Sequence, residues 1–326
     1  MSNPLRLDHY MARANGAYYA THDPFADFVT SPEISQMFGE LLGAWAANCW
    51  QAMGSPGRVI LAEAGPGRGT LMADALRLIA RLAPGFAAAI EVWLIETSPL
   101  LRTEQARRVP RARFADDLGQ LPVGPMILLG NEFLDALPIR QFRRTGAGWA
   151  ERFVLDAAFI EIACENPGRD AQIGEIVEIC EPAEAFVSAV AQRVVAQNGV
   201  ALLIDYGPMQ SAAGDSLQAL RGGKPADPLI DPGQADLTAH VDFARLVQLA
   251  QNAGALAYGP LAQGSFLSRL GLYQRAQVLA RGKEPKLAMK LIHEANRLAD
   301  PTTMGSLFKV MAIAHPVLPM PAGFGA

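Results

Sequence analysis

The chain has little cysteine: three residues in 326, at Cys49, Cys164 and Cys180. An odd number so widely spaced makes neither a zinc pattern nor a disulfide framework, and suits a reducing compartment. No apolar run approaches the ~18 residues of a membrane span. The first residues, Met1 to Tyr10, hold no apolar signal core and no Arg/Ser-rich transit character, so a cytoplasmic location is expected. A basic excess is missing too. Lys and Arg number 28 against 32 Asp and Glu, for a net charge of −4 and a pI of about 5.8. The short clusters Arg107 to Arg113 and Arg140 to Arg144 read as solvated surface rather than a nucleic-acid stripe. No repeat and no low-complexity tract is present. What remains is globular, with 50% hydrophobic and 18% charged residues, long enough for one elaborated domain or two.

The informative stretch is residues 58–76. An apolar run, Val59 to Ala62, follows Arg58 and leads through Glu63-Ala64 to glycines at 65, 67 and 69. A helical apolar pattern begins at once with Leu71, Ala75, Leu78, Ile79 and Leu82. Strand, glycine bend and helix form the nucleotide-cradling unit of α/β folds. A phosphate-binding P-loop needs Gly-Lys-Ser/Thr, but Gly69 is followed by Thr70-Leu71. A dinucleotide fingerprint needs a glycine at position 70, which is Thr70. An NAD-dependent oxidoreductase is therefore disfavoured. The pattern Glu63-x-Gly65-x-Gly67-x-Gly69 is similar to motif I of the class I S-adenosylmethionine (SAM) methyltransferases. Glu96, at the tip of the run Glu91 to Glu96, stands where a carboxylate accepts two ribose hydroxyls.

Strands are expected near 59–62, 91–96, 112–114, 126–129, 200–206, 256–259 and 308–314. Helices alternate with them, at 34–49, 183–197 and 243–252 among others. The pattern is that of an α/β, Rossmann-like, doubly wound sheet. Residues 1–56 form an N-terminal helical extension, with a short helix over 5–14 broken at Asn15-Gly16 and a polar loop over Thr21 to Asp27. Residues 57–138, 183–263 and 304–318 make the SAM-binding core. Residues 139–182 are a β insertion and 264–303 a helical insertion. Residues 207–236, rich in Gly, Pro and Asp, read as a long loop.

Several blocks together resemble the MidA-type family, which includes the mitochondrial complex I assembly factor with methyltransferase activity. They are Asp27 to Gln36, Gly39 to Gly43, Glu63 to Met72, Asn131 to Pro138, Ile204 to Gly207, Asp236 to Phe243 and Met304-Gly305. The family often has Gly where Ala26 stands and Leu where Ala64 stands. The resemblance covers most of the chain. It implies a SAM-dependent protein arginine methyltransferase acting on a complex I subunit, in the mitochondrial matrix if the chain is eukaryotic. A SAM-binding assembly factor with little turnover, or a methyltransferase of another protein or a small molecule, stays open. A homodimer is compatible with either reading.

If a guanidinium is the acceptor, it arrives charged, and carboxylates must neutralise and orient it. Glu132 is the candidate clamp and Asp135 the second, unless both merely open a helix. Asn131 suits either the cofactor's amino-acid tail or the acceptor. His240 beside Asp242 is a candidate base, unless Asp242 only caps the helix from Phe243. Thr30, Ser31, Glu33 and Tyr206 are candidate substrate contacts, with a capping box over Thr30 and Glu33 as the alternative. Asp116 or Asp117 could reach the adenine amino group, with Phe114 nearby. Tyr18 and Tyr19 either close over the ligand or pack.

Overall fold

A computed structural model describes residues 3–21 and 30–325. Most of the Thr21 to Asp27 loop, the Asp27-Phe28-Val29 part of the family-like block, and Ala26 lie outside the described residues. The centre is a seven-stranded sheet of β1 (Val59–Ala64), β2 (Ile90–Ile95), β3 (Arg113–Ala115), β4 (Met126–Asn131), β5 (Gly199–Tyr206), β6 (Leu256–Ala262) and β7 (Phe308–Ala314). Its order is β3-β2-β1-β4-β5-β7-β6, and β7 runs antiparallel to both its neighbours. The period-2 alternation of strand side chains divides the apolar residues between two cores. Leu61, Ile127, Leu129, Leu202 and Val310 face one, and Ile60, Ala62, Leu128, Leu203 and Met311 face the other. Helices cover both faces, so the central strands β1, β4, β5 and β7 are buried and mostly apolar, while the edge strands β3 and β6 are partly exposed.

The first core is closed by α3 (Gln36–Ala52) lying on α4 (Thr70–Leu82). The contact depends on Gly39 and Gly43, one turn apart on α3. A Cβ on Gly39 would stand 2.8 Å from the Leu71 carbonyl oxygen, and one on Gly43 would stand 2.8 Å from the Ala75 Cα. Backbone cannot yield as a flexible side chain can, so Gly43→Ala is expected to destabilise the fold by about 1–3 kcal/mol despite alanine's better helix propensity. Urea unfolding measures this, and an unchanged midpoint would contradict the packing argument.

Four expectations need correction. The expected single helix from Ile34 to Cys49 is two, α2 (Ser31–Ile34) and α3, because Ser35 is extended (φ −159°, ψ 138°) and caps α3. Thr30 caps α2 without a side-chain bond, so no capping box forms. Helix α1 (Leu7–Thr21) continues through Asn15-Gly16. Buried Asn15 spends its amide on tertiary partners instead of breaking the helix: Nδ2 donates to Ala136 O (3.0 Å) and Leu237 O (2.8 Å), and Oδ1 accepts from Leu237 N (3.0 Å). Residues 207–236 are not one loop. Strands Gln218–Arg221, Lys224–Ala226 and Asp236–Thr238 make a small antiparallel sheet.

The β insertion forms a separate sheet from strands Arg140–Thr145, Gly148–Leu155, Ala158–Cys164 and Ile176–Ile179. Its edge is completed by Leu5-Arg6 from the chain's start, paired with Phe153 and Val154. Helices over Gln263–Arg269, Leu272–Ala280 and Pro285–Ala299 lie between β6 and β7. Arg275 of this group reaches Glu40 on α3 at 2.7 Å. Cys49 is core, and burial pushes its thiol well up.

Candidate active site

The carboxyl ends of β1, β2, β3 and β4 meet at one cavity of about 620 Å³, within the range of about 300–1,000 Å³ common for small-molecule sites. Among its walls are Glu63, Gly65, Gly67, Glu96, Asp116, Asn131, Glu132, Thr30 and Glu33. Residues expected to serve one ligand from distant parts of the chain therefore share one space. Gly65 (φ +62°) and Gly67 (φ +53°) are left-handed, and a Cβ at Gly65 would stand 2.8 Å from the Phe133 ring. Gly69 (φ +77°) instead forms the N-cap of α4.

Glu63 is buried at the end of β1, with one hydrogen bond from the Met72 backbone. Its Oε2 has no partner among the described residues, and burial pushes the carboxyl up to about 8. Glu96 accepts from Ser98 N at 2.8 Å and from Gln105 Nε2 at 3.1 Å. Burial raises its pKa, and these donors oppose the rise. The same Gln105, fully buried on α5 (Pro99–Arg108), donates to Gly67 O at 2.6 Å. It thereby ties the acid to the glycine bend. Asp116 is held by Arg102 (2.7 Å) and Gln120 (3.1 Å), and Asp117 caps a short 3-10 turn.

Glu132 follows β4 with φ +52°, a conformation uncommon outside glycine and often retained where function needs it. Its Oε1 accepts from Ser31 N and Asn131 Nδ2, both at 3.0 Å. Burial nevertheless pushes the carboxyl up to about 7. Since Asn131 must turn its NH₂ toward that carboxylate, its Oδ1 points elsewhere, and it is buried without a partner among the described residues. The loop after Glu132 is fixed from behind by Asp205 on β5. Asp205 Oδ2 accepts from the backbone N–H of Phe133 (3.1 Å), Leu134 (2.8 Å) and Asp135 (3.2 Å).

That winding separates the two expected clamps. Asp135 is not a wall of the cavity. Its side chain meets Tyr206, and burial together with Asp205, Asp236 and Glu132 raises its pKa well above the ordinary carboxylate range. Neither acid opens a helix; residues 132–137 are bends and turns. Tyr206 also stands off the cavity, hydrogen-bonded to Gln218 (3.1 Å) with His240 against its ring edge. His240 is exposed and does not pair with Asp242, which caps the next helix through Arg245 N (3.0 Å). Ser31 acts through its backbone. Glu33 accepts from Thr70 Oγ1 and stands 3.8 Å from Arg108. Sequence reasoning overlooked the cavity walls Asn15, Phe133 and Phe186, and also Gln105 behind them. Only Phe133, next to the acid, carried a signal that could have found it.

Two buried polar atoms without partners, a glycine bend and an acid at the second strand's end fit SAM. Fold and site define a class I SAM-dependent methyltransferase. The family model described as "Putative S-adenosyl-L-methionine-dependent methyltransferase" matches residues 41–261, and the chain belongs to that family, Methyltransf_28. Its relatives include the mouse "Protein arginine methyltransferase NDUFAF7, mitochondrial", 36% identical over 96% of this chain and 81% of the mouse protein. The zebrafish protein of the same name is 32% identical over 96% and 84%. A crystal structure of a COG1565 superfamily member from Burkholderia thailandensis, bound to S-adenosyl-homocysteine, superposes with a TM-score of 0.79. It is 26% identical and covers 98% of this chain and 90% of that one. No helix among the described residues is long and apolar enough to cross a membrane.

Proposed function

We propose that this SAM-dependent methyltransferase acts on arginine side chains of protein, with a respiratory complex I subunit or a related protein as acceptor. The compartment follows the acceptor: cytoplasm in a bacterium, mitochondrial matrix in a eukaryote. The observation that carries the reading is Glu132. It is a carboxylate on the cavity wall that makes no ion pair with a basic side chain among the described residues. An acid left without a cation in a partly dry site calls for a cationic ligand. The relatives named as arginine methyltransferases agree.

Bound SAM supplies a methyl group on a sulfonium, open to in-line displacement. Catalysis is then chiefly alignment. Glu63, Gly65, Gly67 and Glu96 would hold the donor, Glu96 as acceptor for the ribose hydroxyls. Glu132 neutralises and orients the guanidinium. When nitrogen gains the methyl and the carbon–sulfur bond breaks, the nitrogen sheds one proton. Glu132, whose carboxyl titrates near neutrality without ligand, takes it. To test the reading, methyl-labelled SAM is incubated with the protein and an extract of cells lacking it, and the label is located by mass spectrometry. Label on arginine is expected; label confined to another residue type would end the assignment.

A further inference from the structure

We propose that the tip of the helical insertion docks on an anionic lipid bilayer. This contact is additional to methyl transfer and does not depend on which residue accepts the methyl group. The tip is the turn between α6 (Leu272–Ala280) and α7 (Pro285–Ala299), where residues 281–287 are all exposed.

Helix α7 carries two stripes. Leu287, Ala288, Leu291, Ala295, Leu298 and Ala299 have the spacing of one apolar face. The first core takes only the far end of it. Ala295, Leu298 and Ala299 are buried there, whereas Leu287 is 44% exposed. Ile292 at the border of the stripe, Met289, and Val278 across the turn on α6 are exposed as well, by 36%, 69% and 49%. Single exposed apolar side chains are ordinary, but several large ones at one turn mark a contact surface.

The second stripe is basic. Lys286, Lys290, His293 and Arg297 recur at helical spacing on the side away from the apolar stripe, and Arg281 and Lys283 join them from the turn. Three of the chain's five lysines stand between 283 and 290. From Arg269 to Arg297, seven Arg and Lys stand against two Glu, in a chain whose net charge is −4. Of Arg281, Lys283, Lys286 and Lys290, only Lys290 has an acidic partner among the described residues, Glu294 at 3.8 Å. The sign selects an anionic partner. The shape selects lipid over protein. A turn exposed over seven successive residues is convex and offers no groove to a rigid partner. Lipid yields to apolar side chains, and lysine stems carry their charges to the phosphates.

Cosedimentation of the full chain with vesicles tests this. Vesicles of equal parts phosphatidylcholine and phosphatidylglycerol should be bound at least about tenfold more tightly than pure phosphatidylcholine, and salt should weaken the binding. Replacing Lys283, Lys286 and Lys290 together with Gln should cost about 100-fold, since each lysine beside an anionic surface contributes about fivefold. Leu287→Ser combined with Met289→Ser should cost about tenfold through lost apolar burial. Both variants should keep the parent's melting temperature and S-adenosyl-homocysteine affinity. Equal binding to the two kinds of vesicle, or undiminished binding by both variants, would overturn the proposal. So would a lowered melting temperature in both, because the chain itself would then cover the patch. A dimer in place of vesicle binding, dissociating in the serine variant, would assign the face to a second copy and overturn it too.

Discussion

Replacing Glu132 with Gln is expected to lower methyl transfer by about 10³-fold, the scale of removing one preorganised charge from a reaction site. SAM affinity should scarcely change. The amide keeps the acid's shape and can still accept from Ser31 N and Asn131 Nδ2. On the proposed arginine reading, what disappears is the charge opposite the guanidinium and the site that takes its proton. The pH dependence checks the same point. Glu132 titrates at about 7 in the free enzyme because burial disfavours its charged form, and it must be ionised to hold a cation. The parent's kcat/KM should therefore rise with pH up to about 7 and then level off. The Gln variant should lack this limb.

Stability runs the other way. Below about 4.5, the ordinary value, folded and unfolded chains both hold the Glu132 proton. Between about 4.5 and about 7 only the folded chain keeps it, so stability falls as pH rises. Above that window the cost is on the order of 3 kcal/mol. Glu132→Gln removes it, so the inactive variant should melt higher than the parent at pH near 8, beyond the titration of this residue. Equal activity in the two proteins would refute the clamp. A lower melting temperature with lost activity would mean that the acid is structural.

The second large effect is expected at Glu96. Glu96→Ala should weaken SAM binding by about 100-fold, as expected when a site built around hydroxyl groups loses its charged acceptor. The loss should shrink sharply for an analogue lacking the ribose 2′- and 3′-hydroxyls. Gln105 provides the internal check. It donates to both Glu96 and Gly67 O, so Gln105→Met alone should reproduce part of the Glu96→Ala defect, and in the double variant it should add little to that defect, the non-additivity of contacting residues. Equal losses for both cofactors would remove Glu96 from the ribose.

The cofactor half was legible because its signals are local. Glu63, the glycines and Glu96 lie at strand ends that apolar runs and turn chemistry mark out. The acceptor half was not. Glu132 and Asp135 are three residues apart, equally acidic, and nothing nearby tells them apart. Asp205, on another strand, winds the loop so that one faces the cavity and the other Tyr206. Asn15-Gly16 has the composition of a break, yet tertiary hydrogen bonds from Asn15 keep the helix whole. The small sheet within 207–236 was obscured by short strands among Gly and Pro. The pair Gly222-Gly223, left-handed at φ +58° and +70°, was the hairpin signal available there.

Asp205 never enters the cavity, yet it decides where the neighbouring acid points. A lineage drifting from enzyme to inert scaffold thus has two routes to silence: erase the glutamate, or erase the aspartate that aims it. The second route leaves every visible working part in place. Under the proposed role of Glu132, a cousin with an apolar residue at this position would be a pseudoenzyme that inspection of its pocket alone could not unmask.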